Sequence, residues 1–308
     1  MKYLFLFILW INIISGQDLF KPTSNYALYQ TFLSQNTKNS LEELDLCASK
    51  FKEIFNNNNF AENDSSAELF MDKYIEVMYF INALLQEEQN FDLNITGIYE
   101  VLNNYNGNYN DSLKNMGIKT KDFEFYKKLK NYSIKFDMSE GMIYSNFSDC
   151  KYFNNNIAGY ISPEANKYFC TLIDEYANEA FKDAGIVVTI EELVDRMITW
   201  ENLYKLNLHN RAKLNIKEKF TNYFSILFEG TDNTPAFSFY TNKLDKRFEK
   251  AYKFLIKKYK CSVTANIFNN YLSLLKKSGN RSNKKSEKFI LENIETIDRI
   301  LNEKNIKR

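Results

Sequence analysis

Residues 162–185 read SPEANKYFCTLIDEYANEAFKDAG, and this stretch decides the fold class. Ser162 offers an N-cap oxygen, Pro163 suits the first helical position because its missing N–H is not needed there, and Glu164 lies at the positive end of the helix dipole. Phe169, Leu172, Ile173, Tyr176, Ala180 and Phe181 fall along one face of a 3.6-residue repeat, and Gly185 supplies a stop. The stretch predicts one helix signalled at both ends.

The same grammar recurs on either side. Thr189-Ile190-Glu191-Glu192 opens a helix carrying Leu193, Val194, Met197, Trp200 and Tyr204, and Ser40-Leu41-Glu42-Glu43 opens one carrying Leu44, Cys47, Phe51, Ile54 and Phe55. Ser65-Ser66-Ala67-Glu68 predicts a longer helix to about Gln89, with Phe70, Tyr74, Val77, Ile81 and Leu84 inward. Further helices are expected over Thr96 to Asn104, Thr120 to Asn131, Lys217 to Glu229, Thr264 to Lys277 and Phe289 to Asn302. Periodicity fails between Ser133 and Phe147, and Ile186-Val187-Val188 is the one β-like triplet.

Only 9 Gly and 3 Pro occur in 308 residues, too few for the many tight turns of a sandwich or barrel. Aromatics make up 16% of the chain, so Phe and Tyr can build a core despite the Asn- and Lys-rich texture. The fold expected is all-α, a multi-helix bundle-like domain over 17–275 that could divide into two helical halves near 133–147. A basic polar linker (276–288) and an amphipathic C-terminal helix (289–308) follow.

The first sixteen residues, MKYLFLFILWINIISG, have a basic start at Lys2, an apolar run from Tyr3 to Ile14 and a small residue at the cleavage point, as a secretory signal does. The run is too short to span a bilayer, so no integral anchor is expected and the localisation expected is extracellular. In that compartment Cys47, Cys150, Cys170 and Cys261 predict two disulfides, with three connectivities open. Asn-X-Ser/Thr sequons begin at Asn63, Asn94, Asn110, Asn131, Asn146 and Asn280, about what composition alone supplies; Asn94 and Asn131, beside helix boundaries, are the better glycosylation candidates.

Chemistry is sparse. His209 is the only histidine, so a nucleophilic triad would have to pass through it, and multi-histidine metal sites are excluded; a helix-end or surface role is expected for it. No glycine-rich phosphate loop, GxSxG, HExxH, CxxC or EF-hand loop occurs. The carboxylates Asp174, Glu175, Glu179 and Asp183, and then Glu191, Glu192 and Asp195, could in principle serve acid/base hydrolysis. Their helical spacing suits solvated faces and first-turn dipole partners better. No catalytic residue, metal or cofactor is assigned.

Charge carries the functional expectation. Residues 201–308 hold 23 Lys and Arg against 11 Asp and Glu, although the whole chain is only +1. Lys243, Lys246, Lys250, Lys253, Lys257 and Lys260 follow spacings of three and four, which on one helix makes a lysine stripe opposite Leu244, Phe248, Ala251, Tyr252, Leu255, Ile256 and Tyr259. The leading expectation is a secreted, non-enzymatic binding protein that contacts a polyanion, such as a sulfated glycan, an anionic lipid or an acidic protein surface, through this stripe. The alternative is a carrier of a hydrophobic ligand in a helix-lined cavity, and an enzyme comes third. Nucleic acid is not expected, because secretion removes the usual partner and no recognition motif is present.

Overall fold

Ser40 caps its helix as the sequence predicts: its hydroxyl accepts from the Glu43 N–H at 3.2 Å. This helix, α2 (Leu41–Ile54), follows α1 (Ser24–Gln35) and precedes the long α3 (Phe60–Gln89) in a computed structural model that describes residues 24–55, 60–89, 110–115, 120–139 and 142–303. The signal segment, Asn94 and the Thr96 to Asn104 segment lie outside the described residues. Thirteen α-helices make up 69% of those residues, in agreement with an all-α class.

α3 begins five residues before the expected cap. Its first turns carry Glu62, Asn63 and Asp64, all buried, and each finds a partner: Glu62 accepts from the Tyr26 N–H, Asn63 donates to the Tyr160 carbonyl, and Asp64 accepts from the Ser162 N–H and hydroxyl at 2.7 and 2.6 Å. Ser65 and Ser66 therefore sit inside the helix and bond back to the Ala61 and Glu62 carbonyls. Phe70, Tyr74, Val77 and Ile81 face the core as expected; Leu84 is exposed.

After α4 (Asp111–Asn115) and α5 (Thr120–Asn131), the segment whose periodicity fails forms a β-hairpin. β1 (Ile134–Ser139) pairs antiparallel with β2 (Met142–Phe147), from Ile134↔Phe147 to Ser139↔Met142. The hairpin lies on α3, where the buried Ser145 hydroxyl donates to the Met78 carbonyl at 2.9 Å. α6 (Lys151–Asn156) and a 3-10 turn lead to α7 (Pro163–Ala177), whose Ser162 hydroxyl accepts from the Ala165 N–H.

α7 ends at Ala177, well before Gly185. Asp183 and Ala184 both take positive φ (50° and 54°), which closes a tight turn between β3 (Phe181–Lys182) and β4 (Gly185–Ile186). The Arg196 guanidinium takes the Asn178 carbonyl at 2.6 Å, so the helix end is satisfied there. α8 (Ile190–Tyr204) then starts on its Thr189 cap and packs along α9 (Asn210–Glu229). Trp200 is fully buried and donates to Glu175 at 3.1 Å.

A second small hairpin, β5 (Gly230–Thr231) with β6 (Thr234–Pro235), meets the first: Asn233 N–H donates to the Ala184 carbonyl and Ile186 N–H to the Thr234 hydroxyl. α10 (Lys246–Lys258) and α11 (Val263–Lys276) follow. The expected linker is partly helical, because Asn283 and Ser286 form a reciprocal cap that starts α12 at Lys284. α12 (Lys284–Ile294) and α13 (Ile297–Asn302) replace the single C-terminal helix, and Ile290, Ile297, Ile300 and Leu301 are buried against the body. Phe224, Phe228, Tyr252, Phe268 and Tyr271 pack ring against ring at 4.4 to 6.1 Å, which fills the space between α9, α10 and α11.

The expected disulfides are a correction. No cysteine pair stands at bonding distance. Cys47 is sealed in the core, and burial pushes its thiol up to about 11. Cys150 and Cys170 are neighbours, but the Asn154 side chain bonds both: its amide donates to Cys150 Sγ at 3.1 Å and Cys170 Sγ donates to its oxygen at 3.4 Å. Cys261 lies in the turn between α10 and α11.

Candidate functional site

The lysine stripe is real in part. Asp245 caps α10 through the Arg247 N–H at 2.7 Å, so Lys246, Lys250, Lys253 and Lys257 share one helical face about 17 Å long. Lys243 precedes the cap in an extended segment, and Lys260 follows the last turn. All six are exposed, while Phe248, Ala251, Tyr252 and Leu255 are buried between α8 and α11. A six-lysine helix face is thus reduced to four: the cap at Asp245 excludes Lys243, and the end of the helix at Lys258 excludes Lys260.

Ion pairing reduces it further. Lys250 pairs with Glu191 of α8 at 2.7 Å and Lys253 with Glu249 one turn earlier. The Lys250 hydrogen bond holds the Glu191 carboxyl below its usual range. Lys243, Lys246, Lys257 and Lys260 make no ion pair among the described residues.

The structure adds cations that sequence spacing could not place. Lys243 pairs across a β-bridge with Arg281, Ser282 N–H donates to the Asn242 carbonyl at 2.9 Å, and Leu244 N–H to the Asn280 carbonyl at 2.8 Å. The segment 276–286 is thereby laid beside the start of α10, and it brings Lys276, Lys277, Arg281, Lys284 and Lys285, all exposed, with no Asp or Glu among its residues. None of these five makes an ion pair among the described residues either. A surface cleft of about 390 Å³, with Phe237, Ser238, Lys243, Asp245, Lys246 and Arg247 in its wall, opens at the start of α10.

The carboxylates singled out by sequence are consumed by structure. Glu175 accepts from Trp200, Tyr223 and Arg196; Glu179 accepts from Tyr144 at 2.7 Å; Asp195 accepts from Lys258 and from the Tyr259 hydroxyl at 2.7 Å. Glu192 pairs with Arg196 at 2.6 Å and Asp183 accepts from Ser139. Among the described residues no group of three His, Cys, Asp or Glu side chains stands close enough to hold a metal ion.

His209 is a helix-end residue, but a largely buried one. Its Nδ1 accepts from the Ala212 N–H to cap α9, which leaves the neutral ring's proton on Nε2, 3.4 Å from Glu68 Oε1. Burial, with Arg211 adding to it, lowers the imidazole to about 4. Burial also raises the Glu68 carboxyl to about 7, against the opposing pull of Arg211. Near neutral pH the imidazole is neutral and stands beside a carboxyl whose proton is held more tightly than usual, between α3 and α9.

Of the better sequons, Asn131 is exposed at the end of α5, whereas Asn63 and Asn146 are buried and closed to a glycan. No described helix is long and apolar enough to cross a membrane. No protein-family model, curated protein or solved structure matches the chain.

Proposed function

We propose that this is a secreted binding protein, not an enzyme, and that it engages an anionic partner through the basic surface formed by α10 and the segments flanking it. The observation that carries this reading is the set of nine exposed cations, Lys243, Lys246, Lys257, Lys260, Lys276, Lys277, Arg281, Lys284 and Lys285, that have no carboxylate partner among the described residues. Opposite charges on other elements do find one another, as at Arg211 with Asp72 and Lys217 with Asp298. Leaving like charges together costs free energy through repulsion, which a bound polyanion relieves.

The test is the salt needed to elute the protein from a heparin column. Binding through several cations weakens steeply with salt because each contact releases a counterion. Replacing Lys243, Lys246, Lys257 and Lys260 with Gln lowers the eluting salt; replacing the ion-paired Lys250 and Lys253 changes it little. Elution of wild type and both variants together, below physiological salt, overturns the reading.

A further inference from the structure

We infer that the anionic partner is a phospholipid bilayer, and that the turn at Phe239 and Tyr240 inserts into its headgroup region while the surrounding cations hold the surface. This rests on the basic-surface reading above and gives it a physical target. Phe239 is 77% exposed and Tyr240 is 99% exposed, adjacent in the chain at the tip of the turn that joins Phe237 to Leu244. Single exposed apolar residues are ordinary on a protein surface; two neighbouring aromatics held out at a tip remove far more apolar area from favourable contact.

The tip is held in place. Ser238 N–H donates to the Lys243 carbonyl at 2.9 Å, Asn242 N–H to the Ser238 carbonyl at 2.8 Å and Asp245 N–H to the Ala236 carbonyl at 2.8 Å, while Asn242 adopts φ 53° to close the turn. Segment 276–286 braces it from one side through the Asn242 and Leu244 bonds already described. Neither 236–244 nor 276–286 contains an Asp or Glu. The aromatic tip therefore springs from the extended segment that sets Lys243 against Arg281, and the first acid after it, Asp245, is engaged in capping α10 and pairing with Arg247.

Two further features point the same way. Lys243 lies directly across the bridge from Arg281, and like charges placed opposite each other destabilise a strand pair unless an anion neutralises them. Beside them the cleft walled by Phe237, Ser238, Lys243, Lys246, Arg247 and Asp245 offers an apolar side, a hydroxyl and two ammonium groups, unpaired among the described residues, to one phosphate-bearing headgroup, with its carboxylate, Asp245, already paired with Arg247. A sulfated glycan would use the cations and leave the aromatics idle. Tyr and Phe beside Lys and Arg match a bilayer interface, where rings sit at headgroup level and each basic residue adds attraction to anionic lipid.

The experiment uses the mature chain with vesicles of phosphatidylcholine alone and of phosphatidylcholine with about 30% phosphatidylserine. Wild type is expected to co-sediment with the anionic vesicles and remain in solution with the neutral ones. Phe239→Ser with Tyr240→Ser is expected to weaken that partition by about tenfold or more, with heparin elution unchanged. Lys243→Gln with Arg281→Gln lowers both. In a Tyr240→Trp variant the new indole shifts to the blue on adding anionic vesicles and is quenched by brominated acyl chains, while the buried Trp200 supplies a constant background. Unchanged partition of the double serine variant overturns insertion of the tip. Wild type that binds heparin but not anionic vesicles overturns the bilayer and leaves the basic-surface reading standing; wild type that binds neither overturns both.

Discussion

Replacing Glu68 with Gln is expected to change the shape of the stability–pH curve more than its height. In the fold the Glu68 carboxyl is raised from 4.5 to about 7 and the His209 imidazole is lowered from 6.5 to about 4, each chiefly by burial. Between about pH 4.5 and 6.5 the folded pair carries its one proton on Glu68, whereas the unfolded chain carries one proton on His209. Folding then exchanges no net proton at this pair, and wild type gains no slope from it in that window. Without Glu68 the folded state holds no proton there while the unfolded imidazole does, so stability rises with pH across about 4 to 6.5. A displacement of about 2.5 units corresponds to roughly 3 kcal/mol across that range. His209→Asn keeps a capping side chain and removes the other half: the carboxyl stays protonated only in the fold, and stability falls by a similar amount as pH rises from about 4.5 to 7. Urea titrations followed by the emission of Trp200, every half unit from pH 4 to 8, read both slopes, and subtracting the wild-type curve cancels all other titrations. Variant curves parallel to wild type would refute the buried-pair account.

Two further outcomes are expected. Gly230→Ala should destabilise by about 2 kcal/mol or more in the same urea assay, because Gly230 has φ 78° and an added Cβ meets the Ala236 nitrogen, the Thr234 oxygen and, at 2.7 Å, the Pro235 carbonyl carbon. A reducing agent should leave the thermal midpoint unchanged, and all four cysteines should react with a thiol reagent in denaturant, with Cys47 the slowest in the native protein because it is fully buried. A midpoint that falls on reduction would restore a disulfide.

Helix starts were legible because their signals are local: Ser40, Ser162 and Thr189 each accept the backbone N–H three residues on. The end of α7 was not, because its real terminus depends on Arg196 reaching the Asn178 carbonyl from another helix and on a turn built from Asp183 and Ala184, where glycine or asparagine is the usual cue. The β1–β2 hairpin was hidden by Ser145 and Asn146, polar residues on buried positions that only Met78, Asn82 and Glu179 make tolerable. At the candidate site, sequence placed Lys246, Lys250, Lys253 and Lys257 on one face, since periodicity within a helix needs no tertiary knowledge. It could not see Glu191 neutralising Lys250, nor Arg281 arriving opposite Lys243, because both depend on long-range packing. The adjacent Phe239 and Tyr240 were readable as letters, but only the turn makes them a protrusion.

The meeting of the two small hairpins has a consequence for kinetics. Asn233 and Thr234 are fastened to Ala184 and Ile186, and the chain runs directly from Pro235 into the aromatic turn, so that turn springs from an anchored base. A target then meets a preorganised contact and association forfeits little chain entropy. Cutting the anchor, as Thr234→Val would by deleting the hydroxyl that Ile186 uses, should leave every contacting side chain in place yet slow capture of the target, separating the shape of the binding surface from its chemistry.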